Sequence, residues 1–280
     1  GLQEAEGHYG PIIIDPAGPD PVGYDREHVI VLSDYSFMHP PQIFKRMKQQ
    51  GGVFNYQKQT VASLLAGKDQ TLQERAEWAK MLMDPTDISD VTGAALKFLI
   101  NGHGPADNWT GLFTPGERVR LRFINAAAQM IFNVRIPGLK MTVVAADGQN
   151  VRPVEVDEFQ IANAETYDVI VQPAEDTAFT LVAEAVDRSG MGRATLAPRP
   201  GMTAPIPPLR QRPLSTMKDM GMDMSAMHAP ATGGAAMAGM DHAAMGHDMA
   251  AMPGMAPLPG MAPPKPRGSD VMGDMGGMEM

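Results

Sequence analysis

Pro115-Gly116-Glu117-Arg118-Val119-Arg120-Leu121-Arg122-Phe123-Ile124-Asn125 opens on a turn dipeptide and then alternates apolar with basic side chains. Successive side chains of an extended strand leave opposite faces. The alternation therefore places Val119, Leu121 and Phe123 inward, and it places Arg118, Arg120 and Arg122 on a solvated strand face, where charge runs normally lie.

Strand signals of the same kind recur on both sides: His28 to Leu32, Leu96 to Ile100, Ile131 to Ile136, Lys140 to Ala146, Glu158 to Ala162, Tyr167 to Gln172 and Thr180 to Glu184. Asn101-Gly102, Pro115-Gly116, Pro137-Gly138 and Asp147-Gly148 punctuate them, each a dipeptide suited to a tight turn. Short strands at this spacing predict an antiparallel sandwich or barrel. Between the first two runs the pattern changes. Ile43, Phe44 and Met47, then Leu72, Ala76, Ala79 and Met83, follow helical spacing, so residues 41–85 read as a helical insertion ended by Asp84-Pro85. Tyr9 to Pro16 reads as a buried strand, the closing strand of a domain whose body is elsewhere, and residues 17–25 as an interdomain linker.

A formal net charge of -9 and a pI near 5.2 argue against nucleic acid and anionic membrane as partners, since both need a positive field. No apolar run is long enough to span a bilayer, and no signal-peptide pattern stands at Gly1, so the chain reads as a fragment of something longer. With no Cys, the chain has no disulfide, thiolate nucleophile, zinc finger or iron–sulfur cluster, and it lacks the thiolate that a blue-copper centre requires.

From Ser215 onward Leu258 and Val271 are the only large aliphatic residues, while 16 of the 24 methionines fall there. Gly, Ala, Pro and Asp fill the gaps, a composition unable to bury enough apolar area to offset backbone ordering, so residues 201–280 read as a disordered Met-rich tail. A methionine stripe on a helix is usually core packing. Here Gly221, Gly239, Gly246, Pro253 and Gly254 interrupt any long helix, and the residues a methionine would pack against are missing. The soft, neutral thioether suits Cu(I), and it keeps its lone pairs in acid where imidazole is protonated. The candidate metal ligands are Met217, Met220, Met222, Met224, Met227, His228, Met237, Met240, His242, Met245, His247, Met249, Met252 and Met255. Donors three residues apart on a Gly-rich chain lie about 10 Å apart on average, close enough for two to four to converge on one ion. The interleaved histidines are also able to take Cu(II).

His8, His28, His39 and His103 are not paired at ligand spacing and read as structural or surface residues. Asn108-Trp109-Thr110 matches a glycosylation acceptor of low specificity. No phosphate loop, nucleophile elbow or EF-hand loop is present.

Several strings together resemble the copper-resistance branch of the multicopper oxidases, the copper resistance protein A type of Gram-negative bacteria. They are Gly1 to Glu4, Tyr9 to Pro16, Tyr24 to His28, Leu32 to Asp34, Asn108 to Phe113, Pro115 to Asn125, Ala146 to Gly148 and Glu165 to Val171. The resemblance implies an all-β, cupredoxin-like Greek-key β-sandwich or barrel with the helical insertion, followed by the tail. It also implies a division of the chain. Residues 1–20 would be the terminal strand of a missing first cupredoxin domain plus linker, 21–200 the second domain and 201–280 a low-complexity copper-binding segment.

In that family a His-x-His pair stands immediately before a Gly-Leu-Gln like Gly1 to Gln3. The remaining catalytic ligands, Cys included, belong to the first and third domains. The resemblance thus implies copper as cofactor, with type 1, 2 and 3 centres in the intact parent, and the first and third domains as partners beside copper ions. It implies a periplasmic location, with the signal peptide outside this chain. It implies Cu(I) oxidation by the parent and no turnover by this chain alone. Two alternatives stay open: a non-enzymatic copper-sequestering protein, and a structural barrel whose tail is a linker.

Overall fold

A computed structural model describes residues 2–221. The chain divides into two units, Gly1–His228 and Ala229–Met280, and every described residue belongs to the first. Eleven strands and four helices are formed among the described residues. The short helix α1 (Leu2–Ala5) precedes β1 (Arg26–Tyr35), and α2 (Pro40–Gln49), α3 (Val61–Leu65) and α4 (Leu72–Lys80) make up the insertion. Then come β2 (Lys97–Ile100), β3 (Trp109–Leu112), β4 (Val119–Asn125), β5 (Phe132–Arg135), β6 (Met141–Ala146) and β7 (Gln149–Val156). The series ends with β8 (Glu158–Ile161), β9 (Thr166–Val171), β10 (Phe179–Ala185) and β11 (Met191–Ala197).

Two sheets face each other, one in the order β2-β1-β4-β9-β6-β7 and the other β3-β11-β10-β5-β8. Ile30, Leu32, Leu121, Phe123 and Val169 from the first meet Phe132, Val134, Leu181 and Leu196 from the second, and all are essentially inaccessible. The sandwich is therefore as expected, with one correction to its pairing. It is mixed rather than antiparallel throughout, because β1 runs parallel to β4 and β3 parallel to β11. Parallel neighbours require a long crossover, and the insertion and the loop after β2 provide the length between β1 and β4. All four turn dipeptides carry positive φ at Gly102, Gly116, Gly138 and Gly148, with Asn101 and Asp147 joining them. That region favours glycine and tolerates asparagine and aspartate.

The insertion is helical, but its packed faces differ in part from the apolar spacing. Ile43 and Met47 of α2 pack on the core as expected, whereas Phe44 is exposed. In α4 the buried residue is Trp78, and Leu72, Ala76 and Ala79 face outward. A capping box between Thr71 and Glu74 sets the start of α4, so a local polar signal, and not the alanine spacing, fixes how the helix is presented.

Two expectations near the start of the chain are corrected. Residues 9–16 form no strand: Ile12 and Ile14 are more than four-fifths exposed, and no described strand pairs with the segment. Without a neighbouring ladder an apolar run has nothing to donate to. It lies instead across the outer face of β4, β6 and β9, bounding with Arg122, Asp168 and Thr166 a cleft of about 560 Å³. That same coverage overturns the solvated reading of the arginines. Arg120 and Arg122 do project away from Val119, Leu121 and Phe123, yet they are only 5% and 7% exposed.

Arg120 bridges Asp20 and Asp168, and the Arg122 guanidinium donates to Glu27 at 3.0 Å through Nε. The linker thus contributes the anion that allows Arg120 to be buried, since an unpaired buried charge is expensive. Arg120→Met should lower unfolding stability by about 3–5 kcal/mol, because it strands two carboxylates against the sheet. Urea unfolding checks this, and a loss under about 1 kcal/mol would show that the bridge is a dispensable surface pair.

Candidate metal site

The chain leaves β11 and runs back across the domain as an irregular strap, residues 198–216, before it reaches the first candidate ligand. An irregular segment has no ladder of its own, so its position depends on individual polar contacts. Thr180 donates through Oγ1 to the carbonyl of Pro205 at 2.9 Å. Arg210 then meets Glu184, whose carboxylate is fully buried in β10. The backbone N–H of Arg210 donates to Glu184 Oε1 at 2.8 Å and its guanidinium donates to Oε2, which also accepts from Arg135 at 2.7 Å. Arg210 reaches Glu158 as well, at 2.9 Å. Burial alone would push the Glu184 carboxyl up, but the hydrogen bonds from Arg210 and Arg135 outweigh it and hold the group below its ordinary value.

Beyond the clasp, Arg212 pairs with Asp69 of the insertion at 2.8 Å, and the Ser215 N–H donates to the Pro85 carbonyl at 2.8 Å. The strap therefore ends against the helical insertion. There the chain makes one closed turn: Thr216 and Asp219 cap each other, with the Thr216 N–H donating to Asp219 Oδ2 at 2.8 Å and the Asp219 N–H to Thr216 Oγ1 at 3.2 Å. Gly221 at φ +72° closes it. Those contacts from Thr216 lower the Asp219 carboxyl and keep it charged.

Of the proposed ligands, Met217 and Met220 lie in this turn, Met217 half-buried and Met220 exposed. Residues three apart on a helical turn share a face, so the two fall on one side of the turn. Met222, Met224, Met227, His228, Met237, Met240, His242, Met245, His247, Met249, Met252 and Met255 lie outside the described residues, as does the tail read as disordered from residue 222 on, whereas its residues 201–221 run as the strap and the capped turn.

The four histidines of the folded part belong to no metal-holding group. His28 Nε2 lies 2.8 Å from the Leu112 carbonyl with its ring edge-on to Trp109, and His39 precedes α2, 3.7 Å from Glu6. Among the described residues no three His, Cys, Asp or Glu side chains are grouped to hold a metal. The chain also has no Cys, so the residues present do not fit a blue-copper or trinuclear centre. The clasp of Glu158, Glu184, Arg135 and Arg210 escaped the sequence reading, because its members are strand and strap residues with no shared motif. No helix of the described residues is long and apolar enough to cross a membrane.

A family profile described as "Multicopper oxidase" matches residues 28–203. Copper resistance protein A of Escherichia coli is 53% identical over 251 residues, covering 88% of this chain and 40% of that protein. A copper resistance protein A homolog of Pseudomonas syringae pv. tomato is 51% identical over 252 residues, with coverage of 88% and 40%. The chain thus spans about two-fifths of the length of these relatives. A solved structure of a mutant laccase from B. aclada superposes with a TM-score of 0.51 at 19% identity, over 76% of this chain and 36% of that one, which speaks to the fold alone.

Glu184→Ala should cost about 3–5 kcal/mol at neutral pH, since it removes the buried carboxylate that Arg135 and Arg210 share and leaves the two cations with Glu158 alone. Because the folded carboxyl sits below its usual value, the unfolded chain takes up its proton first. The contribution is therefore complete above the ordinary glutamate range and is lost as pH falls through the lower folded value. Unfolding of both proteins at pH 7 and in acid checks this: the gap between them should narrow on acidification, and a pH-independent gap would contradict it.

Proposed function

The chain belongs to the multicopper oxidase family, and from that premise we propose that it is the middle domain and copper-capturing segment of a periplasmic copper-resistance oxidase. In this reading residues 1–20 come from the edge of a first cupredoxin domain, 21–200 form the second, and 201–280 are the Met-rich segment. The relatives named copper resistance protein A support the assignment to that branch. Their greater length supports the presence of further domains in the parent. The exposed Ile12 and Ile14 support it too, since adjacent apolar side chains left in water suit a surface that another domain covers.

The observation that carries the copper reading is the concentration of thioethers, 16 of 24 methionines from Met217 onward, in a stretch nearly without packing residues. Thioethers prefer Cu(I), and they bind it without releasing a proton, so capture persists in acid. In the intact parent we assign the reaction as oxidation of four Cu(I), one electron each, with reduction of one dioxygen and four protons to two waters. This chain's share is structural. The barrel sets the geometry of its neighbours, and the strap delivers the Met-rich segment from a fixed point on the insertion.

A second reading is favoured by the ligand census. The chain has no Cys, and no three His, Asp or Glu side chains of its described part are grouped to hold a metal, so this polypeptide by itself would sequester copper without oxidising it. Titration with Cu(I) under anaerobic conditions checks the shared claim. The full chain should bind several equivalents, and a chain ending at Ser215 should lose most of them. Undiminished stoichiometry in the shortened chain would remove the segment from the account.

A further inference from the structure

Two methionines outside the Met-rich segment stand where that segment begins. Helix α4 ends in a reversal: the Leu82 N–H donates to the Ala79 carbonyl at 3.0 Å and the Met83 N–H to the Trp78 carbonyl at 3.2 Å, with Leu82 at φ +56°. Glycine ordinarily occupies such a position, and a leucine there is strained as well as 95% exposed. The reversal is flanked by Met81, half-buried, and Met83, exposed. Two residues further on, the Pro85 carbonyl receives the Ser215 N–H. Two residues past Ser215, the capped turn begins to present Met217 and Met220.

Two pairs of thioethers are therefore carried on two short, locally fixed elements that a hydrogen bond joins midway. The join is reinforced by Arg212 and Asp69, whose paired side chains are largely buried. Asp84 and Asp219, the latter held in its charged form, add negative potential at the same junction, which favours a cation over a neutral ligand.

We propose that Met81, Met83, Met217 and Met220 form a soft-cation site at the junction of the insertion and the strap, taking Cu(I) or Ag(I) through thioether sulfur. The inference rests on the reading of the Met-rich segment as copper-binding, and it extends that reading to two residues of the folded insertion. Such a site has a physical advantage over the rest of the segment. The two elements that carry its donors are already joined by contacts that the fold maintains, so less chain entropy is lost when the ion binds. The first ion bound would settle here, before sites that must be assembled from Met-rich chain alone.

The test uses the full chain with methyl-labelled methionine and Ag(I), a redox-inert probe, followed by NMR. Below one equivalent the methyl signals of Met81, Met83, Met217 and Met220 should shift together, ahead of the remaining methionines. In Met217→Leu/Met220→Leu, a volume-conserving change on a largely exposed turn, the early shifts of Met81 and Met83 should be lost. If Met81 and Met83 stay still while methionines after residue 221 move, this site is wrong and the Met-rich reading survives. If they shift as strongly in the double variant, the four-donor site is overturned. If no methionine signal moves at all, the underlying reading falls with it.

Discussion

A carboxylate with no access to water, Glu184, fixes the course of the strap against the sandwich. It lies in β10, on the face of the second sheet opposite the core that Leu181, Ala183 and Ala185 enter, and it is stable there because Arg135 of β5 and Arg210 of the strap both donate to it. Burying a single charge in such a place would be prohibitive, and burying it with two cations and a backbone N–H is not. The pairing makes the course of an otherwise irregular segment a consequence of the sandwich. From Arg210 the chain has one route, past Asp69 and Pro85, to the turn that bears Met217.

The same principle operates on the opposite sheet. Arg120 and Arg122 leave β4 on the face away from the core, and the segment before β1 covers them, with Asp20 supplying one counter-charge and Glu27 of β1 another. Both ends of the domain are thus fastened by buried arginine–carboxylate contacts rather than by strand pairing. The segments that enter and leave the sandwich have defined courses without needing regular structure.

Much of the sandwich was legible because alternation and turn chemistry are local. Val119, Leu121 and Phe123 announced β4, and Asn101-Gly102 and Asp147-Gly148 announced the turns that the backbone adopts. What was not legible depends on partners distant in sequence. β7 was missed because it is exposed on both faces and contains Pro153, which an edge strand tolerates but which erases the alternating signal. β11, Met191 to Ala197, carries small residues whose burial only the neighbouring strands reveal. Arg120 looks solvated until Asp20, a hundred residues away, is placed beside it. The candidate ligands are the reverse case. Thioether enrichment is compositional, so the methionines from 217 onward could be read without a fold, whereas Met81 and Met83 gained significance only once Ser215 was seen to meet Pro85.

The central claim is that the strap is fastened to the sandwich, so that the Met-rich segment starts from a fixed point. Amide hydrogen exchange at Arg210 and Ser215 tests it most directly, because each N–H donates to an acceptor in the folded domain while belonging to no regular element. The account predicts that the Arg210 N–H exchanges nearly as slowly as amides of β10, with Ser215 also protected. Exchange at both positions as fast as in an open loop would show that the strap is not held, and the account would be wrong.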